Sequence, residues 1–280
     1  MRSIAVVARK MAMLAVSAYR SILRRFLPLA VIECFRSIQR RRAFAGDFSS
    51  WGEARAASKG YDDAAVLARV VAATRAVVEG QALWDRDGAV FTAPEYNMSL
   101  LSVLKKIAQA EDGRLDLVDF GGALGSTWRQ HRALLSDLGS VHWRVVEQPH
   151  YVASGKQFTD NVLSFHPALQ DALSLGANTV LLSGVLAYLE RPHQLIEDLV
   201  RLRVRHIIID RTSFAVNGRA RLTVQRVPAG LGGGSYPCWH FDQRRLLEPL
   251  TGLYRLETGW RSFEDFGPRV EFLGFYFTRT

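Results

Sequence analysis

The residues that could do chemistry in this chain fall at the ends of apolar, strand-like runs. In "LDLVDFGGALGSTW" (115–128) Asp119 precedes Gly121, Gly122 and Gly125, after which the pattern turns helical. Glycine lets a backbone turn tightly or lie against a ligand, and a helix start points N–H groups at a carboxylate or phosphate. In "WRVVEQP" Glu147, followed by Gln148, ends the next run 26 residues after Gly121. An acid at that place can accept hydrogen bonds from two ribose hydroxyls. Loop and acid in this order describe a cradle for a nucleotide-type cofactor. A third group lies in "VLLSGVLAYLERP" and "HIIIDRT". There Ser183 and Gly184 leave a strand where the cofactor's far face would lie, Tyr188 could border the reacting centre, and Asp210-Arg211 ends the next strand, where substrate groups sit.

Each feature also has a plainer reading: a tight turn without a ligand, a solvated acid, a core aromatic, an Asp-Arg pair holding a loop. An acid before the glycines is a feature of S-adenosylmethionine (SAM) sites. Nicotinamide sites usually lack it and show G-x-G-x-x-G, which is absent here. Ser183 is no hydrolase nucleophile, because G-x-S-x-G would need glycine at Leu181. No H-E-x-x-H occurs, and the two cysteines, Cys34 and Cys238, are far apart, so no metal site is expected. Asp210, His150 and His240 are the candidate proton acceptors. Tyr236, Trp239 and Phe241 read either as a cover over substrate or as a core patch.

The elements that must position these groups alternate. The patterns predict helices over about 63–79, capped by Asp62, and over 94–110, starting at Pro94, with a turn at "DRDG" between them. Strands follow at 115–120, 143–147, 163–166, 179–183 and 206–210. Helices near 127–138, 152–158, 169–175 and 192–201 intervene. Such alternation argues for a mostly parallel sheet wrapped by helices, with ligands at the carboxyl ends of its strands. "RLTVQRVP", "YRLETGWRSF" and "RVEFLGFYFTRT" read as later strands, and Gly230 with Gly232–Gly234 as a lid or a long connection.

Charge is unevenly placed. Residues 1–45 hold ten of the 36 basic residues against Glu33 alone, whereas the 26 basic and 26 acidic residues of 46–280 cancel. The net charge of +9 therefore belongs to the N-terminal arm, and a nucleic-acid ligand for the main domain is not expected. The arm has no apolar run of about 18 residues, as a spanning helix would need. Its arginine stripe suits a helix lying on an anionic membrane surface; a docked helix, a mobile tail and a cleaved targeting peptide are the alternatives. "GDFSS" (46–50) reads as a linker. The sparse cysteines suit a reducing cytoplasm, with the arm peripheral at the inner membrane.

"DFGGALGSTW", "VVEQPHYV", "VLLSGVLAYLERP", "IIIDRT", "LTVQRVP" and "SYPCWHF" together resemble a family of SAM-dependent methyltransferases associated with bacterial surface-polysaccharide loci, over about Trp51 to Trp260. The resemblance implies an α/β, Rossmann-like class I methyltransferase sheet of seven strands with helices on both faces and the last strand, "EFLGFYFT", antiparallel. It divides the chain into the basic arm (1–45), a helical N-terminal part of the main domain (46–112) and a methyltransferase-like α/β domain (113–280). It carries the cofactor role, for SAM, onto Asp119, Gly121, Gly122, Gly125 and Glu147, with Gln148, Ser183 and Gly184 alongside. Family loops commonly read D-x-G-x-G-x-G, and Ala123 replaces the middle glycine, putting a methyl group where the cofactor's amino-acid end would lie. The expected reaction is methyl transfer to a hydroxyl of a sugar or glycan precursor, with Asp210, His150 or His240 taking the proton and Arg211 holding an acidic sugar or phosphate. The rivals are an NAD-dependent sugar oxidoreductase or epimerase, and a non-catalytic scaffold.

Overall fold

The computed structural model describes residues 43–59, 64–227 and 234–280. Residues 1–42 of the arm, the Asp62 cap and Gly230, Gly232 and Gly233 lie outside the described residues. The elements are β1 (Phe44–Phe48), α1 (Trp51–Ala56), α2 (Ala64–Val78), β2 (Trp84–Arg86), β3 (Ala89–Phe91), α3 (Met98–Ala110), β4 (Arg114–Phe120) and α4 (Ser126–His131). Then come β5 (Ser140–Val146), α5 (Pro149–Gly155), β6 (Leu163–His166), α6 (Leu169–Ser174), β7 (Thr179–Ser183) and α7 (Pro192–Arg201). The chain ends with β8 (His206–Ala215), β9 (Arg221–Arg226), β10 (Ser235–His240), α8 (Gln243–Leu247), β11 (Tyr254–Arg261) and β12 (Val270–Arg279).

Seven strands form one sheet in the order β11-β12-β8-β7-β4-β5-β6. β6, β5, β4, β7 and β8 run parallel, and β12 pairs antiparallel with both β8 and β11. This is the seven-stranded sheet with an antiparallel last strand that the resemblance implied. Period-two alternation decides which side chain faces which layer. Val118, Val180, Leu182, Ile207 and Ile209 pack on one face with Ala172 of α6 and Ile196 and Leu199 of α7. Leu115, Leu117, Leu181 and Ile208 pack on the other with Leu100, Leu104 and Ile107 of α3. Both faces are covered, which explains why these strands are almost continuously apolar.

Strand order reverses at β4: the chain goes out to β5 and β6, then returns to lay β7 along β4's other edge. The switch point, where such sheets bind ligands, therefore lies between the carboxyl ends of β4 and β7.

Several boundaries differ from the sequence expectation, each for a physical reason. α3 starts at Met98 because Asn97, not Pro94, is the cap: its Oδ1 accepts the N–H of Leu100 at 3.1 Å. "GDFSS" is not a linker, since β1 takes in Phe44–Phe48 and pairs with β9. β9 and β10 do not join the main sheet but form a small antiparallel one in the order β1-β9-β10. β8 runs five residues beyond Asp210, because antiparallel pairing with β12 carries it on to Ala215. Among the described residues no helix is long and apolar enough to cross a membrane.

Candidate active site

One side of the site is built from the loop after β4 and the end of β5. Gly121 has φ 75°, and a side chain there would collide with Val185, which reaches across from the loop after β7. Its N–H is held by the Val146 carbonyl at 2.9 Å. The space a Gly122 side chain would need is filled by the Asp119 carboxylate. Gly125 caps α4 with φ 85°. Ala123 is also left-handed, at φ 51°, yet its methyl group packs in the cluster of Val70, Leu124, Tyr151 and Phe158. The expected crowding is thus turned into the protein core.

Glu147 follows β5 and closes on this loop. Oε1 accepts the N–H of Ala123 at 3.3 Å and Oε2 that of Gln148 at 2.9 Å. A carboxylate has about four acceptor positions, so two remain for a vicinal diol. Burial raises the acid from its usual range, and the two N–H donors oppose that. Asp119, 1% exposed, receives the Trp143 indole N–H at 2.9 Å. Burial pushes its carboxyl up to about 7, opposed by the indole and reinforced by the nearby charges of Glu147 and Asp210.

The other side forms around a β-bulge. Ile209 pairs with Phe275 and Thr212 with Leu273, so Asp210 and Arg211 together oppose Gly274. Arg211 absorbs the extra residue at φ 52°. A bulge re-aims side chains that strict alternation would send to opposite faces. Both residues accordingly line one polar pocket with Arg86, Asn97, Ser126, Thr127, Gln130, His131 and Ser183. Asp210 is fully buried and accepts from Asn97 Nδ2 (3.1 Å), Ser183 Oγ (2.8 Å) and Trp260 Nε1 (3.0 Å). Burial raises its pKa and these donors oppose the rise. Asn97 is itself fixed by His131, whose Nε2 accepts its backbone N–H at 3.0 Å while Nδ1 donates to the Thr127 carbonyl at 2.8 Å. Burial lowers the His131 pKa, so the ring is neutral with the proton on Nδ1.

Of the candidate proton acceptors, only Asp210 lines this pocket. His150 stands in the first turn of α5, close enough to feel the charge of Glu147. His240 is corrected to a structural residue. It is 1% exposed, its Nδ1 meets the Ser213 hydroxyl, its Nε2 lies 3.3 Å from Thr223 Oγ1, and Phe44 packs edge-on at 4.5 Å. No nitrogen is left for a substrate proton. Tyr188 turns away from the pocket: its hydroxyl donates to Gln225 at 2.8 Å and its ring meets Tyr236. Trp239 stacks between Trp51 and Phe241, so that aromatic group is a core patch. Arg211 Nε is engaged by Glu264. Ser183 and Gly184 both hold Asp210, Gly184 through its N–H to the Asp210 carbonyl at 2.9 Å.

The sequence reading missed Asn97, His131, Trp260 and Arg86. Asn97 carries a readable signal, a capping residue just before an apolar-periodic run. The other three reach the pocket only through tertiary packing. Among the described residues no cluster of His, Cys, Asp or Glu could hold a metal ion.

A scan of protein-family models and a search of curated proteins give no match. Among solved structures the chain is similar to the N-terminal domain of EvdMO1, determined in the presence of S-adenosylhomocysteine (SAH) and D-fucose. Identity is 14% and the TM-score 0.47, over 78% of this chain and 100% of that one. It is also similar to magnesium protoporphyrin IX methyltransferase from Synechocystis PCC 6803 with bound SAH (17%, 0.42, over 65% and 82%). A third is the glycopeptide N-methyltransferase MtfA complexed with SAM (12%, 0.43, over 64% and 94%). The fold is the class I methyltransferase fold. Strand order and the antiparallel β12 establish this without help from such distant likenesses.

Proposed function

We propose that this protein binds SAM and transfers its methyl group to a hydroxyl of a sugar or glycan precursor. The observation that carries the reading is Glu147 tied to the Ala123 N–H, which sets a carboxylate with free acceptor positions against the loop after β4. Those positions would take the ribose hydroxyls, with Gln148 beside them and the Gly121–Gly125 loop under the rest of the cofactor. Asp119, buried beneath Gly122, is close enough to feel the charges of Glu147 and Asp210. Three acids grouped in this way favour a cofactor bearing a sulfonium and an ammonium over the pyrophosphate of NAD.

SAM supplies an already activated methyl carbon, so the protein's work is alignment, exclusion of water and acceptance of a proton. Asn97, Ser183 and Trp260 hold the Asp210 carboxylate at the pocket wall, where it favours positive charge and can take the acceptor's proton. The place of this reaction in surface-polysaccharide assembly, and attachment to an anionic membrane through residues 1–45, belong to the same reading. The support for attachment is the arm's charge of +9.

Thermal unfolding of the full chain with SAM, SAH, NAD or no ligand tests the reading. Ligand at 100 times its dissociation constant adds about 2.7 kcal/mol. A shift with SAM and SAH alone is expected. A shift with NAD alone would establish the oxidoreductase rival, and no shift with any of them the scaffold. For the arm, deletion must stop before Phe44, which belongs to β1; loss of sedimentation with anionic vesicles is expected, and unchanged sedimentation refutes attachment.

A further inference from the structure

The pocket beside Asp210 contains a guanidinium that makes no ion pair with any described residue. Arg86, on β2, lays its guanidinium over the faces of Trp84 (5.0 Å) and Phe263 (5.2 Å). Its one hydrogen bond to a side chain goes to a neutral group, Gln130 Oε1, at 3.2 Å. Among the described residues no carboxylate lies within ion-pair distance of it. Of the acids around it, Asp85 faces Thr74 and Glu264 is paired with Arg211, while Glu264, Asp87 and Glu95 act on Arg86 only through longer-range charge. The Arg211 guanidinium lies 5.8 Å from the same ring, so both guanidinium groups border one exposed phenylalanine. Burial, then repulsion from Arg211, draws Arg86 down to about 10, against the opposing charges of Glu264, Asp87 and Glu95.

We propose that Arg86, with Arg211, receives an oxyanion of the methyl acceptor, a carboxylate or a phosphate group. The inference rests on the methyl-transfer reading and adds to it the charge class of the acceptor. Planar guanidinium groups bind such groups through paired N–H donors, and the Trp84 and Phe263 faces hold the Arg86 fork in one plane. Ser126, Thr127 and Gln130 line the same pocket and supply neutral polar groups. The cofactor's own carboxylate is the other source of this chemistry. The pocket lies at the ends of β7 and β8 and is walled by the β2 hairpin and by the start of α4, which follows the Gly121–Gly125 loop; titration with and without SAH separates the two sources.

The test is calorimetric titration of inorganic phosphate, and separately of acetate, into the full chain with and without saturating SAH. Wild type, R86Q and R86K are compared, so that binding to the basic arm cancels. Expected is binding of at least one anion in the presence of SAH, weakened about tenfold or more in R86Q, with SAH affinity unchanged. An anion affinity equal in wild type and R86Q overturns the proposal. So does competition between anion and SAH together with weaker SAH binding by R86Q, which would assign Arg86 to the cofactor. If R86Q does not fold, R86K must weaken the anion about threefold or more, because it keeps the charge and loses the fork; equal affinity again overturns it. A chain that binds phosphate through Arg86 yet never binds SAH refutes methyl transfer and leaves the anion site standing.

Discussion

Gly274 stands opposite Trp260 in the β11–β12 ladder, and a side chain at 274 would lie inside the indole ring. This close approach lets Trp260 lie flat across β12 and deliver its N–H to Asp210 at 3.0 Å. Gly274→Ala must therefore push the indole off. Overpacking costs about 1–3 kcal/mol, and the lost hydrogen bond to a carboxylate about 1.5–3 more. Trp260→Phe keeps a ring over Gly274 and removes only the donor, so it should lose only the second amount while raising the Asp210 pKa further. Urea melts of the two variants check this; an unchanged midpoint in Gly274→Ala would show that the indole does not depend on that gap.

Asp119 predicts a pH dependence with opposite signs for the empty and liganded protein. Its carboxyl sits at about 7 when folded, against 3.8 for the ordinary side chain. The folded state therefore holds a proton that the unfolded chain has released. The stabilisation this provides is complete below 3.8 and lost as pH rises through 7. A cationic cofactor favours the ionised form, so SAM affinity should rise as pH passes 7 and fall by up to about tenfold per unit below it. Asp119→Asn keeps an acceptor for Trp143 and should flatten the profile. Calorimetry at pH 6, 7 and 8 decides; a slope retained by the variant assigns the titration elsewhere.

The β4–β5 side of the site was legible in the sequence, and the β7–β8 side was only half so. Parallel strands buried on both faces read as apolar runs, and the residue after each run is automatically a strand end. Asp119, Glu147, Ser183 and Asp210 could thus be placed by position alone. Arg86 and Trp260 come from a two-strand hairpin and an edge strand that fold over those ends, and no periodicity announces such contacts. The bulge at Arg211 hides for a related reason: it is set by Gly274, which lies 63 residues later in the chain. His240 misled because a histidine in an aromatic run looks the same whether its nitrogens face a pocket or two buried hydroxyls.

Packing between the loops after β4 and β7 makes Gly121 and Val185 a coupled pair. Gly121→Ala places a methyl group on the Val185 side chain at a backbone angle of φ 75°. Left-handed alanine costs about 1–2 kcal/mol and the clash about 1–3 more. Adding Val185→Ala removes the nearer methyl contact but keeps a Cβ at 2.9 Å, so the double variant should recover part of the clash and lose less than the sum of the two single variants. Additive losses in the double-mutant cycle would mean that the two residues do not touch.

His240 should mark acid unfolding rather than catalysis. Burial draws its pKa from 6.5 down to about 4, reinforced by the charge of Arg221. The unfolded chain then binds a proton that the native ring refuses. Stability contributed by this residue is complete above 6.5 and is lost as pH falls through 4, about 3 kcal/mol over that window. His240→Gln keeps a polar group between Ser213 and Thr223. It should start less stable at pH 7.5, by about 1–2 kcal/mol, and lose less than wild type on going to pH 4.5. Other buried histidines titrate in both proteins, so the difference between the two urea-melt series isolates this ring. A pH–rate profile for methyl transfer that loses its acid limb in His240→Gln, with no change in the melts, would return the residue to the list of proton acceptors.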